Sequence, residues 1–385
     1  MQNIKGIQQS TWFFPVVVAV GIGLRLSVMT LGHNVDFDSF LIVARLMHLG
    51  SNVYANTARY NYGPIWFNLL YIVDSIAYHI SPNHELIFRY TLVSFLSLVD
   101  AGIALILQRK VNLTTAVVFM LNPISIIITG YHNQFDNLAV LLGLLSVIIF
   151  GDDFDEPLST RKLLGLGVLG ISLMTKHILF AFPLWLSVKQ KGIRSKLITI
   201  LLPVLIFVLG FVPFWGEGKY GIIQNVLLYK SWNNAFFYKL FVPLSIQLFL
   251  PSTMVWLIFL AISAILVRHK SGVDTLLMYT CTLVATSPAI ANQYLAIPVP
   301  FTSANMNCFS ILYTVIGTLH LLVDEDGLHI EPLRQIVKAD QVVFYSILIS
   351  LLFFELVWLI WRKQIIAFVK SVAREVIVQS EHSEE

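Results

Sequence analysis

Charged residues are scarce in this chain. Asp, Glu, Lys and Arg make up 12% of its 385 residues, whereas soluble domains carry about 25%. Hydrophobic residues reach 57%, and no polar stretch is long enough to bury a hydrophobic core of its own. The composition therefore excludes a detachable soluble domain and predicts an integral, polytopic membrane protein.

Cysteines and nucleotide-binding motifs are also few. The two cysteines, Cys281 and Cys308, lie in apolar surroundings and form no motif, so we expect both to be small, buried hydrophobic residues. Neither a Walker motif nor a dinucleotide fingerprint occurs in the sequence, which argues against a nucleotide-sugar donor. We expect no nucleic-acid partner.

Apolar stretches that can form helices recur along the whole chain. In order they cover residues 12–31, 64–80, 86–107, 113–129, 136–150, 163–175, 178–188, 196–214, 236–250, 252–267, 273–287, 289–304, 306–323 and 341–361. The first is long enough to span a bilayer and lacks a small-residue cleavage site. We therefore interpret it as a retained helix rather than a signal peptide.

Short clusters of Lys and Arg predict the sidedness of these helices, because such residues favour the cytoplasmic side. The clusters lie at residues 109–110, 189–196, 268–270 and 362–363. Placing all four and the N-terminus inside requires that 64–80 and 236–250 do not cross. The predicted fold is an all-α transmembrane helical bundle of about 10 to 13 spans, with about 12 as the preferred count. Residues 1–361 form one domain and 362–385 a polar cytoplasmic tail, which we expect to be disordered from Ala373.

Several unusual polar clusters then fall on the outer face of the membrane. They are the loop 32–85, the turn 131–136, the pair Lys176-His177 and the segment 288–294. A membrane protein solvates charge readily only at the interface or in a water-filled cavity. We therefore expect these clusters to converge on one external site, with interfacial helices in loop 32–85.

Asp36 and Asp38 are the candidate catalytic residues. A carboxylate can take the proton of a hydroxyl group that attacks a sugar, and one base suffices when a phosphate leaves, because a phosphate needs no acid. In an extended loop the two carboxylates share one face. We expect no cofactor, with a divalent metal at Asp36 and Asp38 as the alternative. The structural alternative is that one of them caps a helix that begins near Ser39.

Three basic residues are the second set of candidates in this predicted external site. Lys176, His177 and Arg45 are the candidates for binding the phosphate of a donor, since a lysine acts on phosphate as a point charge. Lys176 can instead simply extend toward the membrane surface. Within the first apolar stretch, Arg25 either extends outward in the same way or pairs with an acid such as Asp100.

Polar and aromatic residues supply the candidates for binding substrate. These are His132, Asn133, Gln134, Asp136, Tyr62, Gln293 and Tyr294. Their side chains can hydrogen-bond a sugar or a diphosphate, and aromatic faces stack on sugar rings. The structural alternatives are that Asp136 or Asn137 caps the next helix and that residues 60–64 form an interfacial aromatic belt.

The order of the motifs resembles that of a known superfamily. After the acidic pair come Tyr-x-Tyr-Gly-Pro at 60–64, Arg89, Asp100, Asn122-Pro123, His-Asn-Gln-Phe-Asp at 132–136, Lys176-His177 and Ser-Pro-Ala-Ile-x-x-Gln-Tyr at 287–294. This pattern is similar to the GT-C type of integral-membrane glycosyltransferases, which use polyprenyl- or dolichyl-phosphate-linked monosaccharides. The dolichyl-phosphate-glucose-dependent glucosyltransferases and the glycosylphosphatidylinositol mannosyltransferase resemble it most.

The resemblance assigns roles to particular residues. Residues 36–38 stand where the glucosyltransferases have Asp-Phe-Glu, and 132–134 stand where they have His-Phe-Gln. It implies that Asp36 is the general base and that Lys176 and His177 lie near the donor phosphate. The chain departs from the pattern in having Asp at position 38. It also lacks the large soluble C-terminal domain of oligosaccharyltransferase-like relatives, which argues against a peptide acceptor.

The function that the resemblance implies is an inverting hexosyl transfer of the mannose or glucose type. The partners would be a lipid-phosphate-linked sugar donor and a lipid-linked glycan or glycolipid acceptor. The reaction would take place on the extracytoplasmic or lumenal face, at the plasma membrane of a prokaryote or the endoplasmic reticulum of a eukaryote. The alternative is a multi-pass transporter or lipid-linked-sugar flippase, a class that favours midplane charges, broken helices and inverted repeats.

Overall fold

The computed structural model describes residues 12–81, 84–229, 234–338 and 340–382. Every regular element in those ranges is helical, which confirms the all-α class. The α-helices of the first half are α1 (Phe13–Met29), α2 (Val35–His48), α3 (Val53–Asn56), α4 (Pro64–Ile80), α5 (Glu85–Lys110), α6 (Leu113–Met120), α7 (Pro123–Gly130), α8 (Asp136–Phe150), α9 (Thr160–Thr175), α10 (Phe182–Ser187) and α11 (Ile193–Gly210). Those of the second half are α12 (Trp215–Gly221), α13 (Phe236–Phe241), α14 (Leu244–Gln247), α15 (Ser252–Leu266), α16 (Gly272–Thr286), α17 (Val299–Ala304), α18 (Cys308–Val323), α19 (Glu331–Ile336) and α20 (Gln341–His382).

Several of these helices are long and apolar enough to cross a membrane. By length and composition, three stretches of the described chain qualify, namely Glu85–Lys110, the run Ile193–Leu227 and Gln341–Arg362. The bent pair α6 and α7, whose axes differ by 47°, adds a fourth if it counts as one span. The transmembrane helical character is therefore supported, whereas the count of twelve stays a prediction.

Breaks interrupt several of the apolar stretches. The stretch 113–129 is divided between α6 and α7, because Pro123 begins a new helix that Asn122 caps through the Ile124 N–H. The stretch 236–250 consists of the short helices α13 and α14, in keeping with the prediction that it does not span. The stretch 289–304 is a 3₁₀ turn followed by α17, so it is not one helix.

Two smaller expectations about the chain are wrong. The segment from Ala373 does not begin a disordered tail, because α20 continues as a helix to His382. Cys281 is buried as expected, but Cys308 is exposed, since it is the first residue of α18 and follows the capping residue Asn307.

A buried ion pair joins the N-terminal helices. Arg25 of α1 donates from Nε to Asp100 Oδ2 of α5 at 2.7 Å, and both side chains are fully buried. This confirms the pairing alternative of the sequence analysis. Arg25 also donates to the carbonyl of Met120 at the end of α6. Asp100 accepts from Thr129 of α7 at 2.8 Å and from Asn137 of α8 at 2.6 Å.

Close backbone approaches hold α2 and α4 against the other helices. Gly63 precedes α4, and a Cβ there would collide with the carbonyl group of Met174 in α9. Arg89 of α5 donates to the carbonyls of Met29 and Gly32, which closes the loop that leads into α2. Arg89 therefore ties the start of α2 to α1 and α5, and Gly63 seats the start of α4 against α9.

We predict that Asp100→Asn destabilises the protein by about 3–5 kcal/mol, because it leaves the guanidinium of Arg25 buried without a countercharge. Thermal or denaturant unfolding in detergent, followed by tryptophan fluorescence, measures the change. Asp155→Asn is the matched control, since it breaks an exposed pair with Lys191 and should cost at most about 1 kcal/mol. Equal losses for the two variants would contradict the prediction.

Candidate active site

Asp36 lies in the first turn of α2, where Asn34 holds it. The Asn34 side chain is the N-cap of this helix, and its Oδ1 accepts the backbone N–H of Asp36 at 3.2 Å. The Nδ2 of the same amide donates to Asp36 Oδ2 at 3.2 Å. The helix therefore begins at Val35, and the interpretation that Asp36 or Asp38 caps a helix near Ser39 is wrong.

A hydrogen-bonded chain connects Asp36 to a buried ion pair. Gln134 Nε2 donates to Asp36 Oδ2 at 2.6 Å, and Lys176 Nζ donates to Gln134 Oε1 at 3.4 Å. Lys176 Nζ also pairs with Asp136 Oδ2 at 2.7 Å. Three of the clusters singled out in the sequence, separated by 98 and 42 residues along the chain, thus meet at one place.

The ammonium group of Lys176 is enclosed by aromatic rings. Its Nζ lies 5.0 Å from the ring centroid of Tyr62 and 4.8 Å from that of Phe135. The Phe135 ring stacks on Trp66 with 3.7 Å between centroids. Attraction between the cation and the rings adds to the ion pair. The lysine is buried and does not extend toward the membrane surface.

His132 is fixed in one tautomer by the same asparagine. Because Asn34 Oδ1 accepts a backbone N–H, its Nδ2 is the atom that faces His132 Nδ1, at 3.0 Å. His132 Nδ1 must therefore accept, and the ring proton is on Nε2. Burial, followed by the charge of His320, lowers the pKa of His132 to about 3, so the ring is neutral at pH 7. Its Nε2 has no hydrogen-bond partner in the described chain.

Asp36 faces a polar cavity of about 370 Å³. Other residues of its wall are Asn34, His132, Tyr229, Asn292, Gln293, Asp326, Gln341 and Tyr345. Tyr229 also lines a second, more apolar cavity of about 450 Å³, whose wall includes His177, Phe180, Trp256, Leu283, Pro288 and Tyr294. The tyrosine is therefore common to the walls of a polar and an apolar cavity.

The surroundings of Asp36 raise the pKa of its carboxyl group. Burial is the largest cause, and it is partly opposed by the hydrogen bond from Asn34 and by the positive charge of Lys176. Both side-chain hydrogen bonds that Asp36 accepts end on Oδ2. Oδ1 is thus the oxygen left to take up a proton.

Asp38 is not placed next to Asp36 as expected. The expectation assumed an extended loop, but both residues lie in the first turn of α2, where residues two apart point in different directions. The Asp38 side chain is 49% exposed, with His33 at 4.0 Å. In the described part of the chain, no group of three or more His, Cys, Asp and Glu side chains is arranged to hold a metal ion.

The remaining predicted residues are divided between several places. Arg45 is exposed on α2 and lies outside the walls of both cavities. Asn133 has a left-handed backbone with φ of 55° and donates to the Gly130 carbonyl, so it shapes the turn. Gln293 borders the polar cavity, whereas Tyr294 and His177 border the apolar one.

The capping interpretation of the turn 131–136 is also wrong. The N-cap position of α8 is Phe135, which makes no side-chain cap, and Asp136 and Asn137 are already inside the helix. Asp136 instead accepts a hydrogen bond from Lys176, and Asn137 donates one to Asp100. Helix α8 thus carries one residue of each buried ion cluster.

Sequence reasoning missed several residues of the polar cavity. Asn34 carried a detectable signal, because Asn followed two residues later by an acid is typical of a helix start. Tyr229, Asp326 and Tyr345 carried none, since only the tertiary fold brings the segments 229, 326 and 345 against α2.

We predict that Lys176→Met destabilises the protein by about 3–5 kcal/mol, because Asp136 keeps a buried charge without its partner. The double variant Lys176→Met/Asp136→Leu should recover part of this loss, since removing both charges removes the unpaired one. Trp66, stacked on Phe135, provides a local fluorescence reporter during unfolding. Lys191→Met at the exposed pair with Asp155 is the control, and a double variant less stable than the single one would contradict the explanation.

Comparisons with known proteins leave the family of this chain open. No family model matches the sequence, and no similar curated protein or solved structure is found. The resemblance to GT-C enzymes therefore stays a prediction from short motifs, and the function must be argued from the geometry of the site.

Proposed function

We propose that this protein is an integral membrane glycosyltransferase that moves one hexose from a polyprenyl-phosphate-linked donor to a lipid-linked glycan or glycolipid. The observation that carries the proposal is the position of Asp36. Its carboxyl group lies in the wall of a polar cavity that shares Tyr229 with an apolar one. A reaction between a sugar and a lipid-linked sugar needs one region for hydroxyl groups and another for hydrocarbon.

Asp36 is the proposed general base. Its Oδ1 takes the proton of an acceptor hydroxyl group while the oxygen of that hydroxyl group forms a bond to the anomeric carbon of the donor. The bond from the anomeric carbon to the phosphate oxygen breaks, and the phosphate leaves with the electron pair, so the configuration inverts. Gln134 and Asn34, both bound to Oδ2, hold the carboxylate in position for this step.

Lys176 has a positioning role in this proposal rather than direct contact with phosphate. Its ammonium is buried and paired with Asp136, so it acts on Asp36 through Gln134 and through its charge. Arg59 is an exposed alternative for the leaving phosphate, because its Nη2 donates to the Val35 carbonyl beside Asp36 at 3.0 Å. Phosphate at this place would also face the positive end of α2.

The lipid of the donor is assigned to the apolar cavity. Phe180, Trp256, Leu283 and Ile297 belong to its wall, and apolar surface of this kind favours hydrocarbon over sugar. Helix α11 exposes a stripe of large apolar residues at Leu197, Leu201, Leu205, Val208 and Leu209. Such a stripe suits contact with membrane lipid, and the positive-inside rule predicts that Asp36 lies on the extracytoplasmic or lumenal side.

We expect Asp36→Asn to abolish sugar transfer, because an amide cannot accept the proton. The assay uses purified protein, short-chain polyprenyl-phosphate sugars as donors and a membrane lipid extract as acceptor. Asp38→Asn is the matched control and should retain most activity, since Asp38 is half exposed and points away from Asp36.

Other outcomes of this assay would reject parts of the proposal. Loss of activity in Asp38→Asn alone would show that the wrong carboxylate was chosen, and loss on adding a chelator would reveal a metal at the site. Full activity in both variants would exclude a general-base role for Asp36 and for Asp38. A wild-type protein that moves lipid-linked sugar between the leaflets of a vesicle without transferring it would favour a flippase.

We also predict an acid limb in the pH profile of kcat/KM above the ordinary aspartate pKa of about 3.9. Asp36 works only when deprotonated, so activity is present above its raised pKa and is lost as the pH falls through it. Asn34→Ser keeps a capping residue but removes the amide donor to Asp36 Oδ2. It should shift the limb to higher pH, because that hydrogen bond favours the charged form.

Asn52→Ser is the control for the pH experiment. Asn52 caps α3 in the same way, with its side chain accepting from the Tyr54 N–H, but its Nδ2 donates to the Phe214 carbonyl. The acid limb of this variant should match that of the wild type. A shift to lower pH in Asn34→Ser, or equal shifts in both variants, would reject the assignment of the limb to Asp36.

A further inference from the structure

One polar atom in the wall of the polar cavity is left without a partner. His132 is fully buried, and its Nε2 carries the ring proton because Nδ1 accepts from Asn34. No group in the described chain accepts that proton. A buried N–H group without a partner is unfavourable, so a ligand oxygen that accepts from it would bind well.

Another part of the wall is built around Asn292. Its Oδ1 accepts from the hydroxyl of Tyr345 at 2.6 Å and from His320 Nε2 at 2.8 Å. Its Nδ2 donates to Asp324 Oδ2 at 2.7 Å. These three bonds connect the ends of α18 and α20 to the turn at 292 and hold the segment that carries Asp326 beside the cavity.

The charges of the cavity select against anions. Among the described residues of its wall, Asp36 and Asp326 are the ionisable acids, and none is Lys or Arg. His132 is neutral, and the other polar groups are amides and phenols. A phosphate or a uronic acid placed here would meet two carboxylates, whereas an uncharged polyol could donate to both of them and accept from His132.

The cavity is also large enough for sugar and shares wall residues with a further cavity. Its volume of about 370 Å³ lies within the range of small-molecule sites. Asp326 and Gln341 also belong to the wall of a further cavity of about 580 Å³ formed by α18, α19 and the start of α20. A ligand with more than one sugar residue can therefore extend from Asp36 toward the segment 324–341.

We infer that this cavity binds the acceptor through uncharged sugar hydroxyl groups, with His132 Nε2 donating to one oxygen and Asp326 accepting from another. The inference rests on the proposed function, since it assigns the acceptor of that reaction. It makes Asp326 a specificity-determining residue and predicts a neutral hexose, not a phosphorylated or acidic sugar, at the accepting end.

The test compares Asp326→Asn with Glu331→Gln in the full-length protein. Glu331 lies in the same segment and is exposed like Asp326, but it is outside the wall of the polar cavity. We expect Asp326→Asn to raise the KM for the acceptor about tenfold, the effect of one lost charged hydrogen bond, with donor KM and kcat nearly unchanged. Glu331→Gln should resemble the wild type.

Two results would overturn the inference. An unchanged acceptor KM in Asp326→Asn would show that Asp326 does not touch the acceptor, and a rise in donor KM alone would assign the cavity to the donor sugar. His132→Phe, which removes the Nε2 proton and keeps a planar ring, should raise the acceptor KM as well. If Asp326→Asn raises the acceptor KM and His132→Phe does not, then His132 is not part of the acceptor site.

A binding measurement separates this inference from the proposed function. Saturation-transfer NMR records contact between the wild-type protein and free oligosaccharides of mannose or glucose, with glucuronic acid and glucose 6-phosphate as the anionic probes. Contact with the neutral sugars that weakens in Asp326→Asn supports the inference even if no transfer is detected, in which case the proposed reaction alone fails. Preference for the anionic probes, or equal signals in both proteins, overturns it.

Discussion

The buried pair of Arg25 and Asp100 is the constraint on which the rest of the structure depends. Two charges without solvent are stable only while every remaining donor and acceptor is matched, and here the partners come from α1, α5, α6, α7 and α8. A shift of any of these helices would leave an unpaired group. Gly130 permits a close approach between α7 and α1, since a Cβ there would be 2.6 Å from the Arg25 carbonyl oxygen. The pair therefore fixes the frame to which α2 and α4 attach.

The frame reaches the site through α8. Asn137 binds Asp100, and one residue earlier Asp136 binds Lys176, so the two buried ion clusters share the first turn of one helix. Lys176 in turn holds Gln134 by a hydrogen bond, and Gln134 holds Asp36 by another. Rigid support of this kind is what a catalytic carboxylate needs, because a small displacement of the base is costly to a transfer reaction. Asn34 adds support from the other side by binding Asp36 and His132 at once.

Much of this arrangement could be predicted from the sequence, because placing charge in apolar surroundings is costly. That cost made pairing with Asp100 one of two explanations for Arg25, beside extension toward the membrane surface, and it marked Lys176 as a residue in need of a partner. The convergence of Asp36, Gln134 and Lys176 followed from the distribution of Lys and Arg. Asp38 was misjudged because the sequence analysis assumed an extended loop there, whereas Asn34 caps a helix that begins at Val35, three residues before Asp38. Asp326 was missed because the sequence of a polar loop does not indicate which parts of the folded chain it will lie against. The number of spans depends on tilts and breaks that composition does not fix.

The amide of Gln134 has a consequence for proton traffic. A carboxylate or an imidazole between Lys176 and Asp36 would form a relay, because such groups accept a proton on one side and release one on the other. A glutamine amide does not do this under ordinary conditions: it transmits position and polarisation but no proton. In the proposed mechanism Gln134 therefore separates the ammonium of Lys176 from Asp36 without relaying a proton. The proton that Asp36 collects would then leave through the polar cavity whose wall Asp36 belongs to.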